Sequence, residues 1–176
     1  KSEKEDGHPV DIHVHEVGRV VDQLLNGNVN FVTATLGNQI NYSTNEFLEL
    51  HKIAADNPSA AIHGSIRGMT VQNLRRYDNL KYPQYTTLEE GAIDSHPIEP
   101  RRASKILSFL EFGIKYLDTG KAYFEKPKLY DRNTRGIVEA CDRLDSILIE
   151  SSLPSYPDEE VFREWLYTVR VNDLLR

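Results

Sequence analysis

Three residues with metal-ligand side chains stand at alternate positions near the start of the chain: Asp11, His13 and His15, within HPVDIHVHEV. On a β-strand, residues two apart project from the same face, so a carboxylate and two imidazoles would converge. Such a set suits Zn²⁺ or a similar ion. Two other interpretations stay open: a polar strand face without a ligand, and Asp11 as one member of a carboxylate cluster completed from outside this segment.

A second group of candidates lies on the predicted helix AIHGSIRGMTVQNLRRY, residues 61–77. Its cationic and amide side chains are those of His63, Arg67, Gln72, Arg75 and Arg76. His63 and Arg67 are four residues apart and share a face. Gly64 and Gly68 have the same spacing and are expected to admit another backbone. Such a helix could hold a phosphate or a nucleic-acid backbone; the alternative is a tightly packed helix with a solvated basic face.

A further basic cluster, Arg101, Arg102 and Lys105, begins a later predicted helix, where it could bind phosphates or form a solvated surface. Two short motifs are rejected as catalytic signatures. Gly64-Ser65 has the residue types of a phosphate-holding Gly-Ser, but it lies in a helical pattern, and no Asp-x-Asp pair occurs in the chain. Asp118-Thr119-Gly120 matches the aspartic-protease triplet, yet it falls where a helix is expected to end.

Composition bounds the class of protein. Hydrophobic residues make up 39% of the 176 residues and charged residues 27%, with a net charge of −6. This is a globular composition without a strongly basic nucleic-acid footprint or a membrane-spanning run. The single cysteine, Cys141, excludes a disulfide framework and favours a reduced, cytoplasmic setting. The chain begins with Lys and its only Met is Met69, so we expect a piece of a longer protein.

Hydrophobic periodicity predicts a mainly α fold: a bundle of about six helices with a short N-terminal β element. Residues 1–8 are charged and are expected to be a solvated lead-in. The strand pattern over residues 10–15 has no pairing partner, which suggests a sheet whose other strands lie elsewhere. Helices are expected over 17–25, 28–37 (with Asn30 as a cap), 43–57, 60–77, 102–119, 134–151 and 156–175, and a long exposed loop over 78–100.

The order of these features resembles one family, over roughly residues 10–150. The segments PVDIHVHEVGRVVDQLLNGNVNFVTATLG, AIHGSIRGMTVQNLRRY and RRASKILSFLEFGIKYLDTGKAYF are similar to three successive motifs of the nucleotidyltransferases of the DNA polymerase β-like superfamily. By this resemblance, residues 1–15 are the last strand of a truncated nucleotidyltransferase α/β sheet, and residues 16–176 form a helical C-terminal domain. The family's Gly-Ser and Asp-x-Asp region is absent here.

The resemblance also implies a reaction. Asp11 matches the family's third carboxylate, a ligand of Mg²⁺ that helps activate the attacking hydroxyl, and a nucleoside monophosphate passes from a nucleoside triphosphate to a hydroxyl acceptor, RNA being one candidate. The substrate-binding residues would be His63, Arg67, Gln72, Arg102 and Lys105. Ser108 and Phe109 depart from the family, which has a His and an Arg in that vicinity.

One aspartate cannot hold two divalent ions, since each needs several hard oxygen ligands. The chain as given is therefore expected to be inactive. The alternative function is a non-catalytic helical module that binds nucleic acid or a protein partner through Arg75-Arg76 and Arg101-Arg102.

Overall fold

The computed structural model describes residues 2–5, 8–11, 15–37, 44–81, 98, 100–124 and 129–174, of which 2–5, 8–11 and 75–81 are described by their backbone alone. Helices dominate this part of the chain. They are α1 (Val17–Leu25), α2 (Val29–Leu36), α3 (Asn45–Asp56), α4 (Ile62–Lys81), α5 (Pro100–Thr119), α6 (Thr134–Glu150) and α7 (Glu159–Leu174). The mainly α prediction is confirmed, with seven helices in the described residues where about six were expected.

A two-stranded antiparallel sheet precedes the helices. Strand β1 (Ser2–Glu5) pairs with β2 (His8–Asp11), and Ser2 lies opposite Asp11. A strand does lie near the start of the chain, but it covers 8–11 and not the predicted 10–15, of which 12–14 lie outside the described residues. The prediction that it lacks a partner within the chain is wrong. Its partner comes from the charged segment that was expected to be a solvated lead-in. The available sequence signal was Asp6-Gly7, a dipeptide typical of two-residue hairpin turns.

Local side-chain chemistry explains where the short helices begin. The Asn28 side chain accepts a hydrogen bond from the backbone N–H of Asn30 and caps α2, so the cap is Asn28 and not Asn30 as predicted. The Thr44 hydroxyl accepts from Phe47 N at the start of α3. The Asn133 side chain accepts from Gly136 N at the start of α6. Each satisfies an amide that has no partner within its helix.

Helix α5 is the central element of the bundle. Every residue from Leu110 to Ile114 is buried, a pattern expected of a helix surrounded by others rather than one with a single apolar stripe. It packs against α4 on one side and α6 on another. A side chain at Gly113 would meet Leu144 of α6 at 3.0 Å and overlap Ile66 of α4. Apolar side chains from all seven helices join this core.

The two glycines of α4 behave differently from the prediction. Among the described residues, nothing except the chain neighbours and the helix's own backbone lies within 4 Å of a Cβ built at Gly64 or Gly68, and both residues are exposed. The expectation that they admit another backbone is therefore wrong. The close approach is made instead by Gly27, whose added Cβ would lie 2.5 Å from Ile62 N at the start of α4.

Two further boundaries bear on the expected loop at 78–100. Helix α4 continues to Lys81, one turn beyond its predicted end at Tyr77, and α5 begins at Pro100. Ile98 is buried in the core, and the rest of the expected loop lies outside the described residues. Among the helices that are described, none is both long and apolar enough to span a bilayer.

Gly27→Ala tests the turn between α1 and α2. Gly27 has a φ of +63° and meets the backbone of Ala61 and Ile62, so alanine would suffer both left-handed strain and overlap with main-chain atoms. We expect a loss of about 2–4 kcal/mol of unfolding free energy, measured by urea denaturation. Gly68→Ala is the control, because open space surrounds it and helix propensity favours alanine by about 0.5–1 kcal/mol. Equal effects of the two substitutions would contradict this account.

Candidate functional site

His63 and Arg67, predicted to share a face of α4, do so and both bind one carboxylate. His63 Nε2 lies 2.7 Å from Asp145 Oδ1, and an Arg67 guanidinium nitrogen lies 3.3 Å from Asp145 Oδ2. Asp145 belongs to α6, so the contact joins two helices of the bundle. The side chains are partly exposed, at 21% for His63, 34% for Arg67 and 42% for Asp145. Both carboxylate oxygens are engaged, as in other charge-assisted pairs that fix orientation.

Cys141 lies one turn before Asp145 and completes this cluster. Burial raises the pKa of the Cys141 thiol, while the nearby positive charge of Arg67 acts in the opposite direction. A buried cysteine with a raised pKa is a weak nucleophile. The cluster therefore consists of two residues four apart on α4 and two residues four apart on α6, and its thiol is not activated for covalent chemistry.

An open groove of about 530 Å³ adjoins His63. Its volume falls within the roughly 300–1,000 Å³ typical of ligand clefts. It is bounded by the start of α4, the end of α1 and the segment before α7. The polar side chains that line it are those of Gln23, Asn26, Asn28, His63, Ser65, Ser155 and Tyr156. The groove is thus rich in neutral hydrogen-bonding groups and contains one aromatic ring besides the imidazole.

Hydrogen bonds fix the amide side chains at the end of α1. The Asn28 amide nitrogen donates to Gln23 Oε1 at 2.7 Å, and the Asn26 amide nitrogen donates to the Asp22 carbonyl at 2.7 Å. Ser65 of α4 accepts from Val29 N at 2.9 Å and so ties α2 to the groove wall. The sequence pattern did not single out these residues. The signal they offered was three amides within six positions, Gln23 to Asn28, at a predicted helix end.

Only part of the Asp11, His13 and His15 set lies within the residues that the structure describes. Asp11 is the last residue of β2, and its side chain lies outside the described residues, as does all of His13. His15 is exposed beyond the described strand, with its ring against Phe31 at a centroid distance of 4.9 Å. Glu16, just before α1, binds Arg170 of α7 at 3.3 Å.

The donor set does not fit the Mg²⁺ pair that the resemblance implies. The part of the chain that the structure describes contains no group of three or more His, Cys, Asp or Glu residues able to hold a metal ion. Asp11 alone offers too few oxygen ligands for even one such ion. We therefore assign no step through a metal to the residues of this chain.

The remaining predicted substrate-binding residues are exposed, and Gln72 faces away from His63. Gln72 follows His63 by nine positions, which places it on the opposite side of α4. Arg102 and Lys105 are exposed near the start of α5, as is Arg101. The side chains of Arg75 and Arg76 lie outside the described residues.

Asp145→Ala tests the joint between α4 and α6. The substitution leaves His63 and Arg67 without their shared acceptor, and we expect a loss of about 1–2 kcal/mol of unfolding free energy, reduced by the partial exposure of the pair. The control is Asp142→Ala, an exposed carboxylate on the same helix, for which we expect a change within about 0.5 kcal/mol. Urea denaturation gives the unfolding free energy of both variants for comparison with the unsubstituted protein. A neutral Asp145→Ala would show that the contact adds no stability.

Stability should fall at alkaline pH. Burial raises the pKa of Tyr116 above 10.0 and that of Cys141 above 9.0, so the unfolded chain releases both protons first. Their contribution is complete below pH 9 and is lost as the pH rises through the folded-state values. Tyr116→Phe should flatten the decline above pH 10, measured by urea denaturation at each pH. Tyr156→Phe, at an exposed position, should leave the decline unchanged; an equal flattening by both would contradict the assignment.

The chain was compared with protein-family models, curated proteins and solved structures. The chain matches no family model, no curated protein and no solved structure.

Proposed function

We propose that this chain is part of a nucleotidyltransferase that transfers a nucleoside monophosphate from a nucleoside triphosphate to a hydroxyl acceptor. The observation that carries the proposal is the placement of Asp11 at the end of a β-strand that leads into the helical bundle at Val17. A strand-end carboxylate followed by a helix is the arrangement expected for the third acid of the family that the sequence resembles. The open groove beside α4 is consistent with a small-molecule or nucleic-acid substrate.

In the proposed reaction, an acceptor hydroxyl attacks the α-phosphorus and the bond to the β-phosphate oxygen breaks, so pyrophosphate leaves. Asp11 assists by accepting the hydroxyl proton. Lys105 and Arg102 are exposed on α5 and are the proposed contacts for phosphate oxygens. His63 and Arg67 already share Asp145, so they act on a substrate only by exchanging that carboxylate for a phosphate.

The proposal includes a reducing, cytoplasmic compartment and RNA as one candidate acceptor. It also requires further carboxylates beyond Asp11, because one aspartate does not supply the ligands that Mg²⁺ needs. The family that the sequence resembles carries them on an Asp-x-Asp strand. A Gly-Ser followed by Asp-x-Asp in the gene sequence upstream of Lys1 would support the assignment.

A non-catalytic helical module is the second candidate, and the exposed cations of α5 favour it. Arg101 and Lys105 are four residues apart and both exposed, so they present two positive charges on one face. Such a face binds nucleic-acid phosphates in a salt-dependent manner. This function would leave RNA binding intact in variants that lack the Asp11 carboxylate and would involve no transfer of label.

Asp11→Asn in the full-length gene product separates the two candidates. With Mg²⁺ and each α-labelled nucleoside triphosphate, we expect the substitution to reduce label transfer to RNA by at least 100-fold, because a general base typically contributes roughly 10²–10⁴-fold. Asp118→Asn, at an exposed position near the end of α5, is the matched control and should retain activity. Transfer that survives Asp11→Asn would refute the role of Asp11, and full-length protein that binds RNA without transferring label would favour the helical module.

A further inference from the structure

Tyr156 stands between two adjoining hollows on the surface of the bundle. The groove of about 530 Å³ beside His63 and a second hollow of about 200 Å³ share two residues, Asn26 and Tyr156. The second hollow is also lined by Asp22, Glu159 and Arg163. The two hollows therefore adjoin at the end of α1, where Asn26 and Tyr156 line both, and together they are called the cleft.

The backbone on both sides of Tyr156 is anchored although the side chain is 70% exposed. The Pro154 carbonyl accepts from Ala60 N at 2.8 Å, and Pro157 is buried. Farther back, the Ser151 hydroxyl donates to the Leu117 carbonyl at 2.7 Å. The backbone that carries the aromatic ring is therefore already fixed. Less conformational entropy is lost when a ligand stacks against the ring.

The amides of the cleft retain hydrogen-bonding capacity. Gln23 uses its Oε1 to accept from Asn28, which leaves its two amide N–H groups; Asn26 uses its amide nitrogen to donate to Asp22 O, which leaves its Oδ1. The two residues are three positions apart at the end of α1 and are neighbours on its surface. A donor and an acceptor thus stand side by side, each with its amide orientation fixed by a bond to a neighbour.

The charges in the smaller hollow do not favour binding of an anion. Arg163 binds Asp22 at 3.0 Å and Glu159 at 3.1 Å, so its guanidinium is shared by two carboxylates. The ligand that fits is instead a flat, neutral heteroaromatic ring whose edge carries neighbouring hydrogen-bond groups. Nucleobases combine these properties: each has a π-face that stacks on aromatic side chains and an edge with adjacent donor and acceptor.

We propose that this cleft binds a nucleobase, which stacks on Tyr156 and pairs its edge with Gln23 and Asn26. The base belongs either to a free nucleotide or to a single-stranded RNA. The inference concerns binding alone and does not require the transferase proposed above. Its failure is therefore separate from the failure of that proposal, which is measured by label transfer.

The experiment is a titration of the full chain with AMP, CMP, GMP and UMP, with ribose 5-phosphate, and with ten-nucleotide homopolymeric RNAs. Calorimetry gives affinities, and ¹⁵N-edited NMR follows the side-chain amides of Gln23, Asn26 and Asn28. We expect saturable binding of at least one nucleotide or RNA, with shifts in those amides, and weaker binding of ribose 5-phosphate. Equal affinity of mononucleotide and strand assigns the base to a free nucleotide; tighter binding of the strand assigns it to RNA.

Two matched tyrosines sharpen the test. Tyr156→Ala should weaken binding roughly tenfold or more, the effect expected from loss of one base–aromatic stack. Tyr167→Ala removes a tyrosine of similar exposure, 72%, on α7 and should leave the affinity unchanged. Both side chains are largely exposed, so neither substitution should unfold the protein.

Gln23→Glu is the second variant. It keeps the Oε1 acceptor for Asn28 but removes the two N–H donors, so it should change the order of affinity among the four bases. The proposal is overturned if no nucleotide or RNA binds at millimolar concentration. It is also overturned if ribose 5-phosphate binds as tightly as the nucleotides, or if the two tyrosine variants behave alike.

Discussion

The bundle depends on one close approach in the middle of α5. Gly113 has no side chain, and the space that a Cβ would occupy is taken by Ile66 of α4 and by Leu144 of α6. Both of those side chains are fully buried, so neither has room to withdraw. Helices α4 and α6 can therefore lie against the same short stretch of α5, and this proximity brings their polar residues within reach of each other.

The polar cluster at the α4–α6 contact is a consequence of that packing. Asp145 meets His63 and Arg67 only because the two helices are held in this relation by their apolar faces. The cluster is partly exposed and neighbours a buried thiol, Cys141. The cluster fixes the orientation of α4 relative to α6. His63, one of its members, also lines the open groove.

The groove itself is shaped by turns rather than by helix faces. Gly27 adopts a left-handed conformation and lies against the start of α4, which brings the amides at the end of α1 beside residues 60–65. The segment before α7 closes the other side through the bond between Pro154 O and Ala60 N. The turn between α1 and α2 and the segment before α7 are distant in sequence but both lie at the start of α4. Together they form a polar surface that carries an exposed tyrosine ring.

The sequence predicted most helices closely because their signals are local. The apolar spacing from Val17 to Leu25 and the Asn26-Gly27 stop reproduce α1 to the residue. Sharing of a face by His63 and Arg67 follows from helical geometry and was predicted as well. The pairing of residues 2–5 was not predicted, because that segment is charged and the only sequence signal for its partner is the Asp6-Gly7 dipeptide between the two segments.

By itself, then, the sequence determined the helical class, most helix boundaries and which side chains share a face, because these depend on contacts within a few residues. It did not determine which residues of other helices the shared face of His63 and Arg67 contacts in the folded protein. Asp145 lies 82 positions beyond His63, and Tyr156 joins Gln23 in one cleft across an even longer separation. Only the tertiary structure decided these meetings, since they arise from how seven apolar faces pack together, and that packing is a property of the whole core.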